Sequence, residues 1–572
     1  MVEPAQQGGA GRAGPKGESH GRSGLRHGNP NGGAAASGLS GTRAAAQRTG
    51  PYTDRRQRIT IDTRDLIPLP SRPEILRTGA AALYLGIDIG TSSVKAVLLT
   101  EEGGSAGSSS APLEVSRPAP GFSEQSPEAW WQATVRAVNG LSGSSRARVR
   151  AIGLSGQMHG ATLLDAHDRP LRPAILWNDG RSAEECLELE RREPASRAIT
   201  GNIMMPGFTA PKLLWVARHE PEIFRRTACV LLPKDYVRLR LTGEKVSDMS
   251  DAAGTGWLDV GGREWSDAML AATDLGRAQM PALVEGSSPS GTLAAIAAAE
   301  LGVPRVVVAG GGGDNAASAV GLGVVRPGEA FLSLGTSGVL FVVTDRFRPN
   351  PDRAAHAFCH CLPGRWHQMS VMLSAASTLD WVAQLVGGTD LPQLVAKAEA
   401  QGLSRHSALF LPYLTGERTP HNDPGARGVF FGLRPDTTPA ELIGAVLEGV
   451  AFAFADGLDV LTEKSDQAGQ PVNDISVTGG GARLPYWGRL IAAALRRPLT
   501  YRAGGEVGAA LGAARLARLA AGDGGEQEVC AAPPVERVVQ PDGALAALLA
   551  SRRRTFQHLY RDLKSTFVEF SS

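Results

Sequence analysis

The stretch Ile87-Asp88-Ile89-Gly90-Thr91-Ser92-Ser93-Val94 returns later in the chain as Leu332-Ser333-Leu334-Gly335-Thr336-Ser337-Gly338-Val339. Each copy sets apolar residues on both sides of a Gly-Thr-Ser core, the pattern of a strand, a tight turn and a returning strand. Glycine supplies the turn's backbone angles, and Thr and Ser place hydroxyl and amide donors at its tip. A duplicated hairpin predicts two related half-domains facing one cleft, with donor-rich turns on both walls that could hold a polyphosphate. Only the first copy carries a carboxylate, Asp88, where the second has Ser333. That difference singles out Asp88 for a metal or phosphoryl role.

Working outward, Leu83 to Ile89 and Val94 to Leu99 form the first hairpin, and Ala330 to Leu334 opens the second. Further strands are predicted at Val149 to Leu154, Ala161 to Asp165, Arg305 to Ala309 and Ile475 to Thr478. Helices are predicted at Pro127 to Val138, Arg181 to Glu190, Lys212 to His219, Pro233 to Leu241, Pro439 to Leu461 and Pro485 to Leu495, several with Pro in the first turn. Strands alternating with helices give an α/β fold, here two α/β lobes around a central cleft.

A chain of 572 residues is long enough for more than one domain. Its 42% hydrophobic and 20% charged residues are an ordinary globular balance, and a net charge of +2 argues against nucleic acid as a partner. Five cysteines do not make a disulfide scaffold, and Cys359-His360-Cys361 lacks a second Cys/His pair at finger spacing. No apolar run approaches the roughly 20 residues of a membrane span, so no membrane partner is expected. Residues 1–80 are rich in Gly, Ala, Ser and Arg and read as a disordered low-complexity extension. No apolar signal-peptide core follows the start, and Gly and Pro work against the amphipathic helix of a transit peptide. The folded chain then divides into an N-terminal domain over 81–322 and a C-terminal domain over 323–572.

Three glycine-containing loops at strand ends are candidates for a nucleotide site. The first is Gly90, Thr91 and Ser92, with Asp88 before them and Lys95 on the return strand; a carboxylate there suits Mg²⁺, which keeps water between itself and such a ligand. The second is Gly310-Gly311-Gly312-Gly313-Asp314-Asn315. Glycines let a ligand approach the main chain, and Asp314 can accept the proton of an attacking alcohol. The third is Gly479-Gly480-Gly481-Ala482-Arg483, where small residues admit a flat purine and helix-start amides favour phosphate. Glycine runs by themselves are weak motifs, so a ligand-free turn stays open for the third loop. On the substrate side, Gln157-Met158-His159-Gly160 ends a strand and offers hydrogen-bonding groups of the kind a sugar needs. Trp177, Asn178 and Asp179 add an aromatic face and polar edges, with Asp179 also placed as a cap for the Arg181 helix. Met204, Met205, Phe208 and Lys212 read as packing around the cleft.

These segments, with Met205-Pro-Gly-Phe-Thr-Ala-Pro-Lys-Leu-Leu-Trp215, Ser247-Asp-Met-Ser-Asp-Ala-Ala-Gly-Thr255 and Gly416-Glu-Arg-Thr-Pro-His421, closely resemble the FGGY carbohydrate kinases, and within them the branch acting on D-xylulose. The FGGY kinases belong to the actin-like ATPase superfamily, whose fold is two ribonuclease H-like lobes. The resemblance runs from about Leu83 to near Tyr560. It implies MgATP-dependent phosphorylation of D-xylulose at its 5-hydroxyl, in D-xylose catabolism, by a cytoplasmic enzyme; a homodimer is a family expectation. It implies Asp314 as base, Asp88 as the acid beside Mg²⁺ (through water) and the γ-phosphate, Met158 and His159 as sugar contacts, Gly335-Thr336-Ser337 as the second phosphate loop and Gly479 to Ala482 as the adenosine loop. The longer glycine run before Asp314 departs from the family pattern, and Cys361 beside His360 has no family role. Other readings are a different FGGY kinase, acting on ribulose, gluconate or glycerol, and an actin- or Hsp70-like ATPase.

Overall fold

The computed structural model describes residues 81–571, apart from 389, 405, 464–471 and 504–507. The predicted extension over 1–80 lies outside the described residues. The first sheet is built from β1 (Leu83–Ile89), β2 (Ser93–Thr100), β3 (Ser105–Pro112), β4 (Val149–Gly156), β5 (Pro289–Thr292), β6 (Val307–Ala309) and the short β7 (Gly312–Gly313). Its order is β5-β6-β4-β1-β2-β3, with β7 also paired to β4. The second is built from β8 (Ala330–Leu334), β9 (Gly338–Thr344), β10 (His356–Cys359), β11 (Trp366–Met372), β12 (Ile475–Thr478), β13 (Leu499–Arg502) and β14 (Val535–Val539), in the order β10-β11-β9-β8-β12-β13-β14.

The duplication seen in two octapeptides extends to whole sheets. In the first, β1 runs antiparallel to β2 and β2 to β3, while β4 is parallel to β1 and β6 to β4. In the second, β8, β9, β11, β12 and β13 repeat that order and those directions. An antiparallel strand closes each parallel edge, β5 on β6 and β14 on β13.

The helices that position the site are α1 (Pro127–Asn139), α2 (Pro233–Thr242), α3 (Asp314–Leu322), α4 (Pro439–Thr462), α5 (Pro485–Leu495), α6 (Gly508–Ala520) and α7 (Gly543–Ser571). Strand alternation sends Leu83, Leu85, Ile87 and Ile89 to one face of the first sheet, against Trp130 of α1 and Tyr236 of α2. Tyr84 on the other face meets Leu511, Ala514 and Ala517 of α6. In the second lobe Leu332, Leu334 and Leu340 pack with Phe452 of α4, Leu490 of α5 and Phe556 of α7. A further core joins the lobes beside the cleft, with Met158, Phe208 and Trp257 from the first against Phe331, Phe341 and Phe358 from the second.

Helix α6 falls between the second-lobe strands β13 and β14 in sequence yet lies on the first sheet. Close approach explains how: a Cβ on Gly86 would stand 1.9 Å from the Ala510 carbonyl oxygen, and one on Gly153 would stand 1.9 Å from that of Ala513. Among the described residues no helix is long and apolar enough to cross a membrane. The cysteines are free and buried; Cys359 Sγ faces the Val260 carbonyl and Cys361 Sγ that of Ala316, while the His360 Nδ1 accepts the Leu362 N–H.

Candidate active site

Both acids singled out in the sequence stand at the end of one sheet, Asp88 on β1 and Asp314 just after β7, the two strands that flank β4 there. Asp88 pairs in register with Ser155 from one side, and Gly312 and Gly313 pair with Ser155 and Gly156 from the other. Asp314 follows at once as the first residue of α3. The β4 residues between them, Ser155 and Gly156, are small. Burial pushes the Asp88 carboxyl up to about 6, against the pull of the Ser155 hydroxyl and of Lys95, its register partner on β2. Burial, and then the charge of Asp88, push Asp314 up to about 6 as well. One Asp314 oxygen accepts the Asn315 N–H at 2.7 Å and its side-chain amide at 3.0 Å. The Asp88 Oδ1 is buried and has no hydrogen-bond partner.

The first Gly-Thr-Ser turn is wired into its surroundings. The Gly90 N–H closes on the Ser93 carbonyl at 3.0 Å and leaves Ser92 exposed at the tip. The Thr91 hydroxyl donates to Gln157 Oε1 (3.0 Å) and accepts from the Trp177 indole N–H (3.0 Å). The Gln157 amide donates to Gln125 Oε1 at 2.9 Å, Gln125 donates to the Thr91 carbonyl at 2.7 Å, and the Trp130 indole donates to Gln125 Oε1 at 3.0 Å. Gln157 is 3% exposed, so its side chain serves this network. The second turn is held differently. The Thr336 carbonyl accepts from the Ala375 N–H and the Ser377 hydroxyl, which leaves the Thr336 side chain exposed.

On the substrate side His159 adopts φ 69°, a left-handed conformation that a non-glycine residue rarely takes. Its carbonyl is held there by Lys212 Nζ (2.9 Å) and the Thr209 hydroxyl (3.2 Å). Lys212 therefore has a backbone-holding task beyond packing, and burial pulls its ammonium down to about 7. The His159 Nδ1 stands 2.6 Å from the Gly254 carbonyl oxygen, which can only accept, so Nδ1 carries the proton and Nε2 is the acceptor. Burial lowers this imidazole to about 3 and keeps it neutral. Met158 reaches across to the second loop: a Cβ on Gly313 would stand 3.0 Å from the Met158 Sδ. The Gln157–His159 segment thus touches both acid-bearing loops. Trp177 and Asn178 are exposed beside it. Asp179 is not a helix cap. The helix begins at Ala183 with Ser182 before it, and the buried Asp179 carboxylate accepts the Ser123 N–H at 2.6 Å and ion-pairs with Arg181 at 2.7 Å. The competing partner two residues away won over the helix amides.

Gly479, at φ 94°, presses on the backbone of Leu334, so the third loop and the second Gly-Thr-Ser turn share one wall. Gly480 to Arg483 form a single 3₁₀ turn before α5. Beside them opens a cavity of about 340 Å³ lined by Asn315 and Ser318 of α3, Phe331 and Ser333 of β8, Thr478, Gly479, Gly480 and Arg483. A Cβ on Gly480 would meet nothing. The cavity has the size of a small-molecule site. Ser318 and Phe331 were not anticipated from sequence, since an alternating strand and a small-residue helix carry no cue to what faces a cavity. Gln125 was missed for a similar reason: it is one polar residue ahead of a Pro-initiated helix.

Fold and site define a class: a duplicated, two-lobed α/β protein with paired acids on the first lobe and, beside them, a small-molecule-sized cavity lined from both lobes. Residues 83–321 match the N-terminal domain, and residues 330–521 the C-terminal domain, of the FGGY family of carbohydrate kinases. The chain belongs to this family and is an ATP-dependent sugar kinase. It is 56% identical over 483 residues to xylulose kinase of Escherichia coli K12, covering 84% of this chain and 99% of that protein. It is 54% identical to xylulose kinase of Klebsiella pneumoniae, with the same shares covered. Among solved structures, xylulose kinase from Rhodospirillum rubrum superposes with a TM-score of 0.78 at 31% identity, covering 85% of this chain and 99% of the other.

Proposed function

We propose that the chain transfers the γ-phosphoryl group of ATP to the 5-hydroxyl of D-xylulose, giving D-xylulose 5-phosphate and ADP, in the cytoplasmic catabolism of D-xylose. The observation that carries the chemistry is the pair Asp88 and Asp314 straddling the end of β4. High identity to kinases named for xylulose supports the choice of sugar. Asp314 orients the hydroxyl and takes its proton late, as charge moves onto the transferring group. Its raised pKa brings it closer to an alcohol than an ordinary carboxylate is, while leaving it ionised near neutrality. The neutral His159 offers Nε2 to a sugar hydroxyl, and Met158 packs beside it, with Trp177 and Asn178 at the rim. Ser92 at the tip of the first turn, whose shape Gly90 and Thr91 hold, Lys95 on β2, and Gly335, Thr336 and Ser337 of the second turn supply donors and charge to the phosphates. Gly479, Gly480, Gly481 and Ala482 border the adenosine.

The unpartnered, buried Asp88 oxygen fits a hard divalent cation, directly or through water. Mg²⁺ bound there would neutralise the charge of the β- and γ-phosphates. A coupled ADP-release assay across ketoses and polyols at saturating ATP tests the proposal. D-xylulose should give the highest kcat/KM, and ADP release should depend on sugar. A better rate with ribulose, gluconate or glycerol, or ATP hydrolysis indifferent to sugar, would refute it.

A further inference from the structure

Directly behind the loop that carries Asp314 lies a charged cluster with no exposure at all. Lys234 Nζ contacts Asp235 at 2.6 Å, Asp248 at 2.9 Å and Asp251 at 3.0 Å, and each of these side chains is 0% exposed. Burying so much charge is costly, and an isolated cluster of this kind is poor support for stability. Its hydrogen bonds lead to the glycine run. Asp248 accepts the Ser250 hydroxyl at 2.5 Å, which fixes that hydroxyl as donor and turns its lone pair outward. The lone pair accepts the N–H of Gly313, the residue before Asp314, at 3.1 Å. At the other end of the run, Arg238 donates to the carbonyls of Ala309 (2.6 Å) and Gly310. A run of four glycines has no side chains of its own to hold it; beside its pairing with β4 and the bonds from the Gly310 and Gly311 N–H groups to the Ser288 and Gly286 carbonyls (2.8 Å each), these side-chain contacts restrain it.

We propose that Ser250, oriented by Asp248 and Lys234, is a positioning residue for phosphoryl transfer: it pins the peptide before Asp314 and so aims that carboxylate at the sugar hydroxyl. This rests on Asp314 being the base. It also gives the Ser247–Thr255 segment a task.

The test uses the full chain with Ser250→Ala and the space-conserving Ser250→Cys, each checked by thermal melting. In both variants kcat should fall by roughly ten- to a hundredfold, the effect of misplacing a reacting group by about an ångström. KM for D-xylulose and for MgATP should stay within about twofold, as for an interaction that matters only in the transition state. Adding Ser250→Ala to Asp314→Asn should cost nothing further. Full kcat in either variant, a loss carried by KM, an additive loss in the double variant, or failure to melt cooperatively would each overturn the proposal. Should Asp314→Asn itself keep its turnover, it is the assignment of the base that fails.

Discussion

At the residue scale the site turns on two buried carboxylates, the charge of Asp88 making Asp314 harder still to ionise. Asp314→Asn keeps the shape and the acceptor for the Asn315 amides but removes the proton acceptor. Turnover should fall by about 10²–10⁴-fold, the usual worth of general-base help, with nucleotide binding nearly unchanged in a titration monitored by tryptophan fluorescence. The same substitution should stabilise the ligand-free protein. Both carboxyls are raised to about 6, so between about pH 4 and 6 the folded chain holds protons that the unfolded chain has released. Their contribution to stability is therefore complete below about pH 4 and is lost as the pH rises through 6. At pH 7.5 Asp314→Asn should gain about 1–2 kcal/mol, read as a higher Tm. Activity runs in the opposite direction. Asp314 must be ionised to accept a proton, so kcat/KM for D-xylulose should climb along a limb centred near pH 6. A flat profile from pH 5 to 8 would mean that neither acid is titrating in the rate-determining complex.

At the element scale the decisive contact is helix α6 against α3 and the first sheet. Glycine inside a helix normally costs about 1 kcal/mol relative to alanine, yet α6 carries Gly512. Its reason is steric: a Cβ there would lie 1.7 Å from the Ala317 carbonyl oxygen of α3. Gly321 of α3 is in the reciprocal position, with a Cβ 2.5 Å from the Gly508 oxygen. Backbone cannot yield as a side-chain tip can. Gly512→Ala should therefore destabilise by about 3 kcal/mol or more in chemical denaturation; a gain of stability would mean that the helices are not this close. This contact was hidden in the sequence. The hairpins were legible because apolar alternation and the Gly-Thr-Ser turns are local signals, and α1, α2, α4 and α5 because Pro and apolar spacing mark them. Helix α6 reads as one more small-residue segment, and nothing local says that it crosses back to the other lobe. The same limit applied at Asp179, whose spacing suited a helix cap until Arg181 and Ser123 competed for it.

At the scale of the whole molecule the residues of the proposed site are divided between the lobes. Asp88, Asp314 and the Gln157–His159 segment belong to the first, and the Gly335–Ser337 turn and the Gly479 loop to the second. Duplication alone made that division legible, because two copies of one hairpin imply two sheets. It could not say that both acids would fall on the same sheet, since that depends on β7 pairing with β4. In-line transfer needs reacting atoms about 3–3.5 Å apart, and the expected outcome is that the lobes close when the proposed sugar and nucleotide sites are both filled. The α3–α6 pair, in contact through glycines, belongs to the first lobe and should keep its packing when the lobes close. Small-angle scattering should show the radius of gyration falling when D-xylulose and a non-hydrolysable ATP analogue are both present, and falling less with either alone. An unchanged radius with both ligands at saturation would place nucleotide and sugar within reach in the open form and leave closure no part in excluding water.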